Sequence, residues 1–271
     1  MLVADGIDVR IGRAHIVKGV SLKARPGSFT TIIGPNGSGK TTLLRALTGE
    51  LAFDGTATLN GRDLARASSR ELAAWRGVLP QATTVAFPFT VYEVVRLGLS
   101  MGVHDPARDA QRVEQALAAV DLAGFGGRFY QELSGGEAQR VQLARVLAQV
   151  WEPVFEGNPR CLFLDEPISS LDIKHQIQIL ELAARYADAG GTVLAVLHDL
   201  NLTAQFADHV VLLSEGRVHA AGSARSVLTP SNLKTVYGCR MSVGAVPPGQ
   251  DFFILPHVAR QARRAGMASG V

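Results

Sequence analysis

The spacing of apolar positions changes several times along the chain, and the changes divide it. Over residues 2–33, short β-rich runs alternate with turns and end in Phe29-Thr30-Thr31-Ile32-Ile33, a strand that runs straight into Gly34. Beyond the glycines, residues 42–47 carry apolar side chains at helical spacing, and Asn60-Gly61 reads as a hairpin turn between two short strands within 57–64. From Thr90 the pattern turns helical. Thr90-Val91-Tyr92-Glu93 is a capping-box sequence ahead of an apolar face, and 108–120 is rich in Ala, Leu, Glu and Gln. The spacing therefore predicts a mainly helical insert over 87–150. Apolar strand runs return at 161–164 and 193–197, separated by a helical stretch at 173–189, which is the βαβ rhythm of a parallel sheet. A hairpin at 210–218 follows, and after about residue 243 the pattern fades into a Pro- and Gly-containing tail.

Composition narrows the setting. The chain has 271 residues and is 47% hydrophobic, enough to bury a core without staples. Apolar runs break long before the ~18 residues that span a bilayer. Residues 1–5 lack the basic and apolar regions of a secretory signal, so the expected compartment is the cytoplasm. Two cysteines, Cys161 and Cys239, cannot make a disulfide framework, and both read as reduced thiols. The net charge of +3 owes much to Arg260, Arg263 and Arg264, which read as a solvated tail rather than as a nucleic-acid or lipid contact. The seven histidines are scattered, with no ligand-like pairing around a Cys or Met.

The chemistry begins at Gly34-Pro35-Asn36-Gly37-Ser38-Gly39-Lys40-Thr41, which fits G-x-x-x-x-G-K-[ST] between a strand and a helix that continues through Thr42. Glycines let successive N–H groups and the helix N-terminus point at phosphate oxygens, Lys40 reaches the β- and γ-phosphates, and the Thr41 hydroxyl suits Mg²⁺. The competing reading is a plain glycine-rich turn. A second element, Asp165-Glu166, ends the strand run at 161–164, where open α/β sheets place ligands. Asp165 suits a metal, directly or through water, and Glu166 suits a water that attacks phosphorus; alone, the pair would equally suit a solvated acidic turn. Third, Leu133-Ser134-Gly135-Gly136-Glu137 is a capping box with two poor helix formers in its first turn, which suggests that exposed backbone is wanted there. Its serine hydroxyl and bare N–H groups make a second anion surface.

The ordered set of phosphate loop, Gln81, the 133–137 sequence, Asp165-Glu166, Ser169-Ser170-Leu171-Asp172 and His198 resembles the ATP-binding subunit of ABC transporters over residues 2–240. The resemblance implies a P-loop NTPase of the ABC ATPase type. Its RecA-like parallel-sheet core would carry an N-terminal antiparallel β subdomain and the helical insert, with 241–271 a short appendage. It implies ATP and Mg²⁺, two ATPs held between two copies head to tail, and two transmembrane permease subunits. It also implies that the chain is peripheral on the cytoplasmic face of the bacterial inner membrane, that a periplasmic substrate-binding protein joins through the complex, and that nucleic acid is not a partner. By the same resemblance Gln81 contacts Mg²⁺ and water, Ser134, Gly135 and Gly136 meet the opposite γ-phosphate, Asp172 communicates across the dimer, and His198 bonds the γ-phosphate and positions Glu166. The family usually stacks an aromatic residue on adenine from the stretch that matches 10–13 here; none is present, which leaves Ile11 or a flanking arginine to pack on the base.

Finer features, Leu79-Pro80-Gln81 with Phe87-Pro88-Phe89-Thr90-Val91, His198-Asp199-Leu200-Asn201-Leu202 and Val227-Leu228-Thr229-Pro230, resemble importers of iron chelates, haem and cobalamin. The extra segment at 150–160 is similar to haem importers, which favours haem over a ferric siderophore or cobalamin. ABC-type ATPases that act on DNA or ribosomes would bring coiled coils, zinc-binding cysteines or a duplicated cassette, and a P-loop metabolite kinase would leave 133–137 unexplained.

Overall fold

The structure is a computed structural model that describes residues 1–83, 85, 87–101 and 108–245. The tail beyond 245, with its arginines, and residues 102–107 of the helical insert lie outside the described residues. The chain opens with β1 (Leu2–Ile11), β2 (Ala14–Ala24) and β3 (Ser28–Ile33), then α1 (Lys40–Leu47), β4 (Asp54–Leu59) and β5 (Arg62–Asp63). Next come α2 (Ser69–Trp75), β6 (Arg76–Leu79), α3 (Val91–Met101), α4 (Asp109–Ala119) and α5 (Gly135–Gln149). A small hairpin, β7 (Val154–Phe155) and β8 (Asn158–Pro159), precedes β9 (Cys161–Asp165), α6 (Ile173–Asp188), β10 (Thr192–Val196) and α7 (Leu200–Phe206). The end is β11 (His209–Ser214), β12 (Arg217–Gly222), α8 (Ala224–Val227) and α9 (Pro230–Tyr237).

These strands form an antiparallel sheet in the order β2-β1-β4-β5 and a larger sheet in the order β12-β11-β3-β10-β9-β6. In the larger sheet β11, β3, β10, β9 and β6 are all parallel, and β12 pairs antiparallel at one edge. Every residue of β9 and β10 is buried, which is why they read as unbroken apolar runs rather than as alternation. Their side chains still alternate in direction. Leu162, Leu164, Val193 and Ala195 pack with α3, α4, α5 and α6, whereas Cys161, Phe163, Leu194 and Val196 pack with α1 and the antiparallel sheet. One sheet thus anchors two cores, and each fully buried leucine or phenylalanine in them contributes about 1.5–3 kcal/mol.

The first segment differs from the sequence expectation of short runs: β1 and β2 are long and paired, with register shifts along the ladder. Bulges bend a long strand without ending it, and in sequence the extra residues look like turns. The Thr90–Glu93 capping box and the hairpin at Asn60-Gly61 form as expected. The phosphate-loop helix begins at Lys40, two residues before the helical spacing becomes visible.

Candidate functional site

Parallel strands bring their C-terminal ends to one edge, and register fixes who meets whom. Val196 pairs with both Ile32 and Asp165, and Leu79 pairs with Leu164. The segments that leave β3, β9, β10 and β6 therefore emerge side by side, carrying the phosphate loop, Asp165-Glu166, His198 and Gln81.

Gly34 has φ +151, and a Cβ there would lie 2.3 Å from the Leu213 carbonyl oxygen and 2.8 Å from Ser38 Oγ, so no side chain fits. Gly39, at φ +96, caps α1 without a side-chain bond, and the first turn of α1 carries no acid. That leaves the N–H groups of a helix N-terminus without a competing carboxylate, the condition an anion needs. Asn36 and Gly37 form the exposed tip, Pro35 is half-buried, and Ser38 is buried. Thr42 follows in the first turn, half-buried. The loop is tied to its surroundings through Gly216, whose N–H donates to Ser38 O at 3.2 Å and whose carbonyl accepts from Lys18 N at 2.8 Å.

Lys40 Nζ donates to the carbonyls of Gly34 and Pro35, both at 3.0 Å. Burial holds its pKa below the usual lysine value, with Glu166 and Asp165 pulling it back up. Thr41 Oγ1 donates to Asp165 Oδ1 at 3.1 Å. Burial raises the Asp165 pKa, opposed by the Thr41 bond and assisted by the nearby Glu166. Thr41, Gln81 and Asp165 share the wall of a cleft of about 310 Å³.

Glu166 is the most constrained group at this edge. Its backbone is left-handed, at φ 50, and its N–H donates to Val196 O at 3.2 Å. Each carboxylate oxygen has its own partner: Gln81 Nε2 at 3.0 Å from Oε2, and His198 Nε2 at 2.6 Å from Oε1. A non-glycine residue held at positive φ is strained, and such strain is worth about 1–3 kcal/mol. Gln139 Nε2 donates to the Glu166 carbonyl at 3.1 Å. Sequence reading missed Gln139; the available signal was its place on α5, five residues after Ser134, where helical phase turns it toward the same sheet edge.

Lys40, Thr41, Gln81, Asp165, Glu166 and His198 come together, but Ser134, Gly135 and Gly136 do not join them. They begin α5, where a Cβ on Gly136 would lie 3.2 Å from Ser170 O and from Leu171 Cδ2. The capping box closes fully, as the sequence predicts, and occupies the serine hydroxyl, with Ser134 N and Oγ both donating to Glu137 Oε2 at 2.8 Å. Those bonds hold the Glu137 pKa below the usual carboxylate range. Asp172 caps α6, accepting from His175 N at 2.9 Å. Ile11 sits at the β1–β2 turn with half of its surface exposed, while the Ile16 carbonyl oxygen, on β2, would lie 3.2 Å from a Cβ on Gly39. Cys161 is buried and Cys239 exposed, both free thiols.

The ABC transporter family pattern matches residues 17–169. The chain is 57% identical to the hemin import ATP-binding protein HmuV of Jannaschia sp. (strain CCS1), over 98% of this chain and all of that protein. It is 55% identical to the protein of the same name from Roseobacter denitrificans (strain ATCC 33942 / OCh 114), over 96% of this chain and 99% of that one. Among solved structures, the dimeric post-hydrolysis state of the ATP-binding cassette MJ0796, bound to ADP and Pi, superposes with a TM-score of 0.72 at 26% identity, over 83% of this chain and 99% of that one.

Proposed function

The chain belongs to the ABC transporter family as an ATPase coupled to transport, and from that premise we propose that it powers hemin import with Glu166 as the base that activates water. The observation that carries the reading is the Glu166 carboxylate held by Gln81 and His198 beside a phosphate loop. The relatives named as hemin import proteins, matched along almost their whole length, support the cargo. A ferric siderophore or cobalamin importer is the alternative for the same motor.

The phosphates of ATP lie over 34–42. Lys40 exchanges the Gly34 and Pro35 carbonyls for β- and γ-phosphate oxygens, a trade of neutral acceptors for charged ones that favours the bound state. Ile11 or a neighbouring arginine covers the base. Mg²⁺ suits the oxygen donors gathered here: the Thr41 hydroxyl, the Asp165 carboxylate 3.1 Å from it, and the amide oxygen of Gln81, whose Nε2 is turned to Glu166. Bound there it would neutralise charge on the phosphates. Glu166 accepts the proton of the attacking water. In the structure Gln81 and His198 each hold one of its oxygens and so orient the carboxylate, which keeps a lone pair on each oxygen for the water.

Each site is completed by a second copy of the chain, whose Ser134, Gly135 and Gly136 meet the γ-phosphate and whose Asp172 lies at the junction. Glu137 in the α5 capping box makes this contact conditional, because the Ser134 hydroxyl must turn from Glu137 to the phosphate. Closure of the dimer is passed to two transmembrane permease subunits on the cytoplasmic face of the inner membrane, fed by a periplasmic binding protein. No helix among the described residues is long and apolar enough to cross a membrane. Reconstitution of the chain with its permease and binding protein in liposomes tests the cargo. ATP-dependent accumulation of hemin, in preference to a ferric siderophore or cobalamin, is expected; accumulation of either alternative without hemin would overturn it.

A further inference from the structure

A pocket of about 150 Å³ opens away from the phosphate loop, at the opposite end of β9. Asn60 and Arg62 of the β4–β5 hairpin, Trp75 at the end of α2, Phe155 and Glu156 of the β7–β8 hairpin, and Arg160 contribute to its wall. Arg160 immediately precedes β9, whose far end carries Asp165, so the pocket and the Mg²⁺ ligands stand roughly 16 Å apart along the strand.

Four described arginines have a buried guanidinium nitrogen without a hydrogen-bond partner, and Arg160 is the one with two. It is only 4% exposed, yet its Nε and Nη2 atoms have no hydrogen-bond partner among the described residues. Glu152 and Glu156 act on it through space without closing an ion pair, and burial depresses the guanidinium pKa. The hydroxyl of Tyr186, electrostatically linked to Arg160, is likewise buried and unpartnered. Leaving a buried cation unpaired is expensive, and such groups are ordinarily satisfied by an anion or ordered water.

The guanidinium of Arg160 lies over the Phe155 ring at 4.5 Å, and that of Arg62 over the Trp75 ring at 4.4 Å. Two planar forks are thus pre-set on aromatic faces, which reduces the entropy lost when they take a ligand. Against these two cations the lining offers one carboxylate, Glu156, leaving a surplus positive charge. The volume suits a small ion and is well below what nucleotide-sized ligands occupy. We propose that this pocket binds a small oxyanion, a phosphate or carboxylate group, between Arg160 and Arg62. Bound there, the ion ties the antiparallel sheet, α2 and the β7–β8 hairpin to the start of β9, and so stabilises the cassette from the side opposite to hydrolysis.

The test removes the phosphate loop from contention. The Lys40→Ala chain is unfolded by heat at fixed ionic strength in chloride, inorganic phosphate or acetate. Phosphate, acetate or both, at ten times the dissociation constant, should raise Tm by about 3 °C over chloride. The responding anion identifies which oxyanion the site takes. Adding Arg160→Met should abolish the rise, and adding Arg62→Ala, an exposed position, should weaken the affinity about tenfold. If Arg160→Met does not fold, Arg62→Ala decides alone. No rise with either anion, or a rise untouched by the arginine substitutions that fold, overturns the proposal.

Discussion

At the scale of single residues the site depends on two acids in different settings. Glu166 has a partner on each carboxylate oxygen, whereas Asp165 is buried and held above its ordinary pKa. His198 makes a charge-assisted bond to Glu166, and bonds of that kind are worth about 2 kcal/mol. His198→Ala should therefore slow steady-state hydrolysis about 30-fold while leaving nucleotide affinity, read by titration, nearly unchanged. For Asp165, a raised folded-state pKa means that the folded chain binds a proton that the unfolded chain has already released. Stability then falls as pH climbs from the ordinary carboxylate pKa through the raised one, and the penalty is fully present above it. Without nucleotide and in chelator, Asp165→Asn should have the higher Tm at pH 7.5, with the gap closing as the pH falls toward 4. A lower Tm at pH 7.5 would contradict the cause given for the shift.

At the scale of elements, the placement of Ser134 rests on how α3 and α5 cross. A Cβ on Gly98, in the middle of α3, would lie 2.0 Å from the Arg145 carbonyl oxygen of α5, so the helices touch backbone to side-chain-free backbone. Gly98→Ala should cost roughly 1–3 kcal/mol in urea unfolding, more than the helix-propensity gain of alanine returns. Elements of this kind were unevenly legible beforehand. The strands β3, β9 and β10 announced themselves as apolar runs, and the capping boxes at Thr90 and Ser134 marked the starts of α3 and α5. By contrast α2 and β6 went unread, although Ser68 and Glu71 form a closed capping box before α2. The edge strand β6 is only Arg76-Gly77-Val78-Leu79, too short for a period, and its glycine is required because a Cβ would lie 2.7 Å from Val146 Cγ1. The β7–β8 hairpin was visible only as an extra segment. The bond from Gln139 to Glu166 joins residues far apart in sequence, and no local pattern carries that information.

At the scale of the whole molecule, the motifs in this chain fall into two groups: the phosphate loop with Glu166, and Ser134, Gly135 and Gly136, which do not join it although Gln139 of the same helix does. A site completed by a second copy accounts for this division and predicts complementation. Chains carrying Lys40→Ala or Ser134→Arg should each be inactive alone, yet an equal mixture should recover about a quarter of the native ATPase rate through heterodimers that hold one intact site. Recovery of nothing would argue that each chain completes its own site. Glu166 is the residue on which hydrolysis depends most directly in the proposed mechanism. In the presence of ATP and Mg²⁺, Glu166→Gln should bind nucleotide, accumulate as a dimer on size-exclusion chromatography, and hydrolyse at a rate lower by 10²-fold or more, roughly the loss expected for a general base. Hydrolysis by Glu166→Gln at the native rate would contradict it.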